Sequence, residues 1–173
     1  LPLFPLDTVL FPEGYLPLQI FEVRYLDMVG KCFKAGAPFG IVTLNRGDEV
    51  RRAPTNGTVG DNIAQDIFHP IGTLARITSL TRPQPGLMRI QCTGLQRFTV
   101  KQHELLKHGL WTAQVTLLAE DQCVQIPPDL LAVANTLNRV MTTLQAQGTS
   151  ADQMPIQPPY RLDDCAWVAN RWC

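Results

Sequence analysis

The histidines and cysteines of this sequence are the side chains best suited to metal binding or nucleophilic chemistry, and their spacing limits both. There are 3 histidines, His69, His103 and His108. The last two are five residues apart, a separation that points side chains in different directions on a helix. No Cys-x-x-Cys pair and no His-Glu-x-x-His string occurs. We therefore predict no metal site. A Cys–His nucleophile pair stays open, because its members need not be close in sequence.

The sequence also lacks the motifs of nucleotide-dependent and hydrolytic enzymes. Its Gly30-Lys31 pair has Tyr25 where a P-loop needs its first glycine, and Cys32 where the loop needs Ser or Thr. No Gly-x-Gly-x-x-Gly string follows a predicted strand, and no Gly-x-Ser-x-Gly string is present. We expect a protein that is not an enzyme and that needs no cofactor.

Charge and hydropathy bear on partners and location. The formal net charge is +0, with 15 basic and 15 acidic residues, which gives no electrostatic reason to bind nucleic acid or an anionic membrane. No apolar run is long enough to cross a bilayer, and the apolar start lacks the basic residues of a signal peptide. Cys32, Cys92 and Cys165 lie among apolar residues and are expected to be buried free thiols. These features favour a cytoplasmic protein of undefined oligomeric state.

The elements that must position any site begin with a strand and a helix. Alternating apolar residues predict a strand over residues 16–20. Leu26, Val29 and Phe33 follow at helical spacing and predict an inward-facing stripe, with Gly36 and Pro38 ending the helix. A buried strand is predicted over residues 39–44.

The middle of the chain is strand-rich. Residues 46–69 are polar and predict a long loop, or a hairpin turning at Asn56-Gly57. A turn is predicted over residues 83–86 and a bulge or bend at Gly94. Strand character follows in four segments, over residues 70–80, 87–93, 97–101 and 111–119.

Helical character begins after Pro127-Pro128. An amphipathic pattern starts at Leu130, and a second one runs from Leu162 with Asp163 and Asp164 in its first turn. This second helix reaches Cys173 without a cap, so we expect the natural chain to continue. The division predicted is a β-rich subdomain over residues 1–122 and a helical subdomain over residues 126–173. The fold class expected is α+β.

Residues 1–29, LPLFPLDTVLFPEGYLPLQIFEVRYLDMV, resemble the start of the Lon N-terminal (LON substrate-binding) domain family. Further strings that resemble the family are PFG at 38–40, IGTLARI at 71–77, GLQRF at 94–98, YRLD at 160–163 and WVAN at 167–170. Val23 departs from the family, many members of which have Pro at this first helical turn. Because that Pro only pre-sets the helix start, little depends on it.

The resemblance implies a PUA-like β-barrel with an inserted helix, followed by a C-terminal helical subdomain. It also implies the stand-alone bacterial form, without the ATPase and the Ser–Lys peptidase that follow this domain in full Lon proteases. The function implied is non-catalytic recognition of unfolded or extended polypeptides, on behalf of a protease or chaperone partner.

Charged and aromatic residues of the N-terminal segment are the candidates for a binding site, and two charged residues flank the first strand-to-helix junction. Glu22 and Arg24 either pair there or present charge to a ligand, while the aromatic residues belong to the core by default and one or two of them line a groove for an extended peptide. The alternatives are a PUA-like RNA-binding module, which zero net charge disfavours, and a small-molecule pocket or cryptic enzyme. The candidate substrate-binding residues are Phe11, Pro12, Leu18, Phe21, Glu22, Arg24 and Tyr25.

Overall fold

The computed structural model describes residues 1–45, 68–150 and 153–173. Its strands are β1 (Pro2–Leu6), β2 (Tyr15–Ile20), β3 (Phe39–Leu44), β4 (Phe68–Gln84), β5 (Leu87–Leu105) and β6 (Trp111–Leu117). Its α-helices are α1 (Val23–Ala35), α2 (Leu131–Ala146) and α3 (Cys165–Trp172), and a short 3-10 helix, Pro128–Leu130, precedes α2. The fold is mixed α+β and mostly sheet, as the sequence predicted at that level.

The strands form one 6-stranded sheet in the order β2-β5-β4-β3-β1-β6. The pairing of β1 with β3 is parallel, and the other pairings are antiparallel. β6 pairs with β5 as well as with β1. The pairings therefore run from β5 through β4, β3, β1 and β6 back to β5, and β2 extends the sheet along another part of β5.

Gly94 is where the connection between β1 and β2 crosses the sheet. The register of β4 against β5 shifts between Thr73 and Ala75, opposite Gly94, which agrees with the predicted bulge. Two backbone hydrogen bonds join the crossing chain to the bulge: Glu13 N to Gly94 O at 2.8 Å, and Gly94 N to Gly14 O at 2.9 Å. A Cβ atom at Gly94 would lie 2.1 Å from the carbonyl oxygen of Phe11, so only glycine allows this approach.

Helix α1 packs one stripe into the main core. The buried residues are Tyr25, Met28, Val29, Gly30 and Cys32, and Gly36 ends the helix with a left-handed φ of 61°, in the predicted place. Phe33 was expected to face inward but is 44% exposed, because the stripe runs through positions 25, 28, 29 and 32 and leaves Phe33 at its edge.

The strand ends differ slightly from their predictions. β4 continues to Gln84, so the turn of the β4–β5 hairpin is only Pro85-Gly86, and Gly86 has a φ of 78°. β6 ends at Leu117, two residues earlier than predicted. The predicted turn at Asn56-Gly57, and most of the polar segment 46–69, lie outside the described residues.

The C-terminal helices have a hydrophobic cluster of their own. Its buried members are Ala134, Leu137, Met141, Met154, Ile156, Trp167 and Val168. Asp164 is the N-cap of α3 and accepts hydrogen bonds from the backbone N–H groups of Ala166 and Trp167, whereas the sequence placed it in the first turn. In the part of the chain that is described, no helix has the length and hydropathy to span a membrane.

Candidate functional site

The junction between β2 and α1 exposes two large apolar side chains. β2 ends at Ile20, which is buried and pairs with Met88, and α1 begins at Val23. Phe21 is 72% exposed and Val23 is 73% exposed. Exposed apolar groups that form a contiguous patch mark contact sites on a protein surface, whereas single ones are ordinary. We call Phe21, Glu22, Val23 and Arg24 the junction surface.

Backbone geometry holds this surface in place. Glu22 is the N-cap of α1 in an extended conformation, and its carbonyl accepts hydrogen bonds from Tyr25 N at 3.0 Å and Leu26 N at 2.9 Å. Its side chain makes no capping bond and pairs with Arg24 instead. The alternation of an extended segment turns Phe21 and Val23 away from the residues that enter the core.

Arg24 ties the junction surface to the rest of the sheet. Its Nη2 lies 2.6 Å from Glu22 Oε2, and its Nε donates to the same oxygen at 2.9 Å. Its Nη1 donates to the carbonyl oxygen of Gly109, in the turn between β5 and β6, at 2.6 Å. Both side chains of the ion pair are partly exposed. The pair is therefore a surface pair that also orients the guanidinium toward Gly109.

Tyr25 supports the junction surface from beneath. Its ring stacks on Phe4, with centroids 4.1 Å apart and an interplanar angle of 16°. The guanidinium carbon of Arg24 lies 4.7 Å from the centre of the same ring. Burial raises the pKa of the Tyr25 phenol. To smaller extents, the charge of Arg24 lowers this pKa and the charge of Glu22 raises it. Tyr25 is buried, so it positions Arg24 rather than offering contact area of its own.

The remaining predicted site residues lie elsewhere. Leu18 is half-buried on β2 opposite Ile90 and packs against the main core. Phe11 and Pro12 are half-buried in the connection between β1 and β2. The guanidinium carbon of Arg97 lies 5.8 Å from the centre of the Phe11 ring, and the Pro12 carbonyl accepts a hydrogen bond from Arg171 Nη2 at 2.9 Å.

The seven predicted residues therefore do not form a single cluster. Phe21, Glu22, Arg24 and Tyr25 are together at the junction. Phe11 lines a separate pocket of about 320 Å³, and Pro12 lines a groove of about 500 Å³ next to the C-terminal helices. No pattern in the sequence predicts this groove. The charged residues of the groove come from segments that are far apart in the sequence, and no motif joins them. The one related feature of the sequence is Asp164, an acidic residue at a predicted helix start, which is the buried cap of the helix beside the groove.

The histidines and thiols do not form a reactive cluster in the described part of the chain. His103 packs edge-to-face with Phe68 and Trp111, at centroid distances of 5.4 and 5.5 Å. Burial raises the pKa of the Cys92 thiol to about 12 and also raises that of Cys32, which suppresses their thiolates. No group of three or more His, Cys, Asp or Glu residues among those described could hold a metal ion.

Comparison with known proteins agrees with this architecture. Residues 1–165 match the family model of the ATP-dependent protease La (LON) substrate-binding domain. The chain belongs to the LON substrate-binding domain family. Members of this family form the substrate-binding part of Lon, which is separate from its catalytic parts, and no peptidase domain is matched within this chain.

Related chains extend the family match. The chain is 32% identical to the Lon protease of Amoebophilus asiaticus over 94 residues, which cover 54% of this chain and 10% of that protein. It is 22% identical to the Lon protease of Flavobacterium johnsoniae over 142 residues, covering 81% of this chain and 16% of that protein. The chain therefore spans a small part of the length of the curated relatives it matches.

A solved structure shares the fold over nearly the whole chain. The crystal structure of a Lon N-terminal domain protein from Xanthomonas campestris is 27% identical, with a TM-score of 0.69. The match covers 99% of this chain and 79% of that one. The predicted resemblance to the Lon N-terminal family is confirmed by the family model and by this structural neighbour.

Proposed function

We propose that this chain is a non-catalytic recognition module that binds unfolded or extended polypeptides, and that it does so through the junction surface. The family supports a role in substrate recognition. The observation that carries the proposal is the pair of exposed side chains, Phe21 at 72% and Val23 at 73%, on a junction braced by Arg24.

The junction surface suits a polypeptide whose side chains are not known in advance. An exposed aromatic ring and a β-branched side chain gain free energy from burial against almost any apolar residue, without requiring a precise hydrogen-bond partner. The Glu22–Arg24 pair beside them offers one acceptor group and one donor group to a peptide backbone. Tyr25 and Leu18 act behind this surface, as supports, and Phe11 and Pro12 offer further contacts away from it.

The finer architecture is part of the same proposal. The ring of pairings from β5 through β4, β3, β1 and β6 supports a PUA-like β-barrel with α1 inserted between strands. The separate hydrophobic cluster of α2 and α3 supports a division into residues 1–122 and 126–173. We further propose that the partner receiving the bound polypeptide is a protease or a chaperone. The cytoplasmic location predicted from the sequence stays a prediction.

A binding measurement with a matched pair of variants tests the proposal. A reduced, carboxymethylated model protein carrying a fluorophore serves as the unfolded ligand, and its native form is the control ligand. Phe21→Ala should weaken binding about tenfold, the loss of roughly 1.4 kcal/mol expected for an exposed aromatic anchor. Phe33→Ala is the control, because Phe33 is also exposed but lies near the other end of α1.

Two results would contradict this assignment. Equal affinity for unfolded and native ligand would remove the preference for unfolded chains. Equal losses in the Phe21 and Phe33 variants would show that any exposed phenylalanine serves, and that the junction surface has no special role.

A further inference from the structure

The groove of about 500 Å³ lies where the sheet meets α3 and is built by five segments of the chain. They are the β1–β2 connection, β4, β5, the segment after β6, and the C-terminal region from Arg161 onward. Its volume falls in the range of small-ligand and peptide sites, and such sites favour the boundaries between structural units. Leu74, Leu95 and Trp167 supply its apolar lining.

Most charged groups of the groove neutralise each other. Arg97 Nη1 lies 2.5 Å from Asp121 Oδ1, and Arg161 Nη2 lies 3.1 Å from Glu13 Oε1. These pairs join different segments and fix the positions of those segments relative to each other. Groups fixed in this way lose little entropy when a ligand arrives.

Arg76 and Glu120 are the exceptions. Both line the groove, and the side chain of neither forms a hydrogen bond or ion pair with another residue in the described ranges 1–45, 68–150 and 153–173. Both are exposed to solvent. One uncompensated positive group and one uncompensated negative group are thus available to a ligand.

The strand register separates the backbone positions of the two groups along β5. Arg76 on β4 pairs with Thr93 on β5. Glu120 comes two residues after Leu118, whose N–H donates to the carbonyl oxygen of Arg97 at 2.9 Å. Thr93 and Arg97 are four residues apart on β5, which is roughly 13 Å of extended strand. An extended peptide covers such a length with about four residues.

We propose that this groove binds an extended polypeptide segment that carries a carboxylate and a cationic side chain about four residues apart. The Asp or Glu side chain lies at Arg76, the Lys or Arg side chain lies at Glu120, and apolar residues between them contact Leu74 and Leu95. The inference rests on the proposed function, that the chain binds polypeptides, and adds a charge pattern that selects among them. Charge complementarity of this kind mainly sets specificity.

Fluorescence anisotropy with four labelled peptides tests the charge pattern. The peptides share an apolar centre and differ only at two flanking positions, which hold Glu and Lys, Glu and Glu, Lys and Lys, or Gln and Gln. The unmodified protein should bind the Glu and Lys peptide about tenfold more tightly than the other three, and salt should reduce this preference.

Charge reversal on the protein should reverse the preference. Arg76→Glu should favour the Lys and Lys peptide, and Glu120→Lys should favour the Glu and Glu peptide, each by about tenfold. Arg89→Glu is the control and should change nothing, because Arg89 is exposed on β5 and lies outside the lining of the groove. Circular dichroism checks that each variant folds. If a reversal variant does not fold, Arg76→Gln and Glu120→Gln replace it, with an expected loss of about threefold.

The outcomes separate this inference from the proposed function. If the peptides bind without regard to their charges, or if Arg76 and Glu120 variants keep the original preference, the groove assignment is overturned. Continued binding of an unfolded protein, sensitive to Phe21→Ala, would leave the proposed function standing in that case. Loss of all binding to both peptides and unfolded protein would overturn both.

Discussion

Arg97 and Asp121 form an ion pair, at 2.5 Å between Nη1 and Oδ1, that joins β5 to the segment after β6. Asn170 of α3 completes a triangle with them. Its Oδ1 accepts a hydrogen bond from Arg97 Nη2 at 3.0 Å, and its Nδ2 donates to Asp121 Oδ2 at 3.0 Å. The sheet and the last helix are therefore connected by polar contacts.

Asp121 should make this connection sensitive to acid. The hydrogen bond from Asn170, together with Arg97, holds the pKa of the Asp121 carboxyl below its ordinary value, while burial opposes the shift. Because the folded pKa is the lower one, the stabilisation is complete above the ordinary carboxyl range near ~4 and is lost as pH falls through the folded pKa. Urea unfolding of the unmodified protein and of Asp121→Asn should differ at neutral pH, by at most about 1 kcal/mol, and converge in acid. A constant difference at every pH would contradict this assignment.

Removal of the Asp164 carboxylate should strongly lower the free energy of unfolding. It is 2% exposed, caps α3, and its Oδ2 lies 3.1 Å from Arg161 Nη2. Asp164→Ala should lower the free energy of unfolding by about 2 kcal/mol or more, since a cap is lost and Arg161 loses one partner. Asp164→Asn, which keeps a capping oxygen, should lose less. Asp163→Ala is the matched control at an exposed neighbour. Chemical denaturation would measure all three, and equal effects at the two positions would rule out a special role for the cap.

Two glycines should respond to alanine in opposite directions. Gly94→Ala would place a Cβ 2.1 Å from the carbonyl oxygen of Phe11, a backbone atom that can move only with the crossing chain. It should cost about 1–3 kcal/mol. Gly30 lies within α1, and the nearest atom to its added Cβ is Arg82 Nη2 at 3.7 Å, an ordinary contact. Gly30→Ala should gain about 0.5–1 kcal/mol through helix propensity. Thermal unfolding gives both signs, and a stabilising Gly94→Ala would show that the crossing is looser than described.

The cysteines should differ in their reactivity toward alkylating agents. All 5 cysteines, each of which lies in a described range, are free. Cys173 is exposed and should react first, whereas Cys92 is fully buried with a pKa of about 12 and should react only after unfolding. Cys32, also buried and with a raised pKa, should react more slowly than Cys173. Mass spectrometry of peptides after timed alkylation orders the sites. Modification of Cys92 in the native protein as fast as that of Cys173 would contradict this order.

The junction surface has some features that the sequence predicts and others that it does not. Glu22 and Arg24 flank the junction of a predicted strand and a predicted helix, and both elements are present with nearly the predicted bounds. The exposure of Phe21 was not predictable, because an apolar residue next to a core strand is buried by default. The predicted inward position of Phe33 is wrong for a related reason. Spacing identifies a helical face, but the neighbouring sheet decides where the edge of that face lies.

Local features were determined by the sequence itself. The alternation of β2, the stop at Gly36 and the absence of nucleotide and hydrolase motifs depend on residues close together in the chain. Backbone preferences and side-chain periodicity act over such short distances, so they can be predicted without a fold. The dense family string of residues 1–29 added the family by resemblance.

Only the tertiary structure decided which distant groups meet. Arg24 donates to Gly109, 85 residues away, and Arg171 donates to Pro12, 159 residues away. The groove between Arg76 and Glu120 likewise depends on the order and register of the strands. A hydrophobic pattern states which side of a strand is buried but carries no information about its neighbour. Contacts between segments therefore follow from the packing of the whole chain and not from any segment alone.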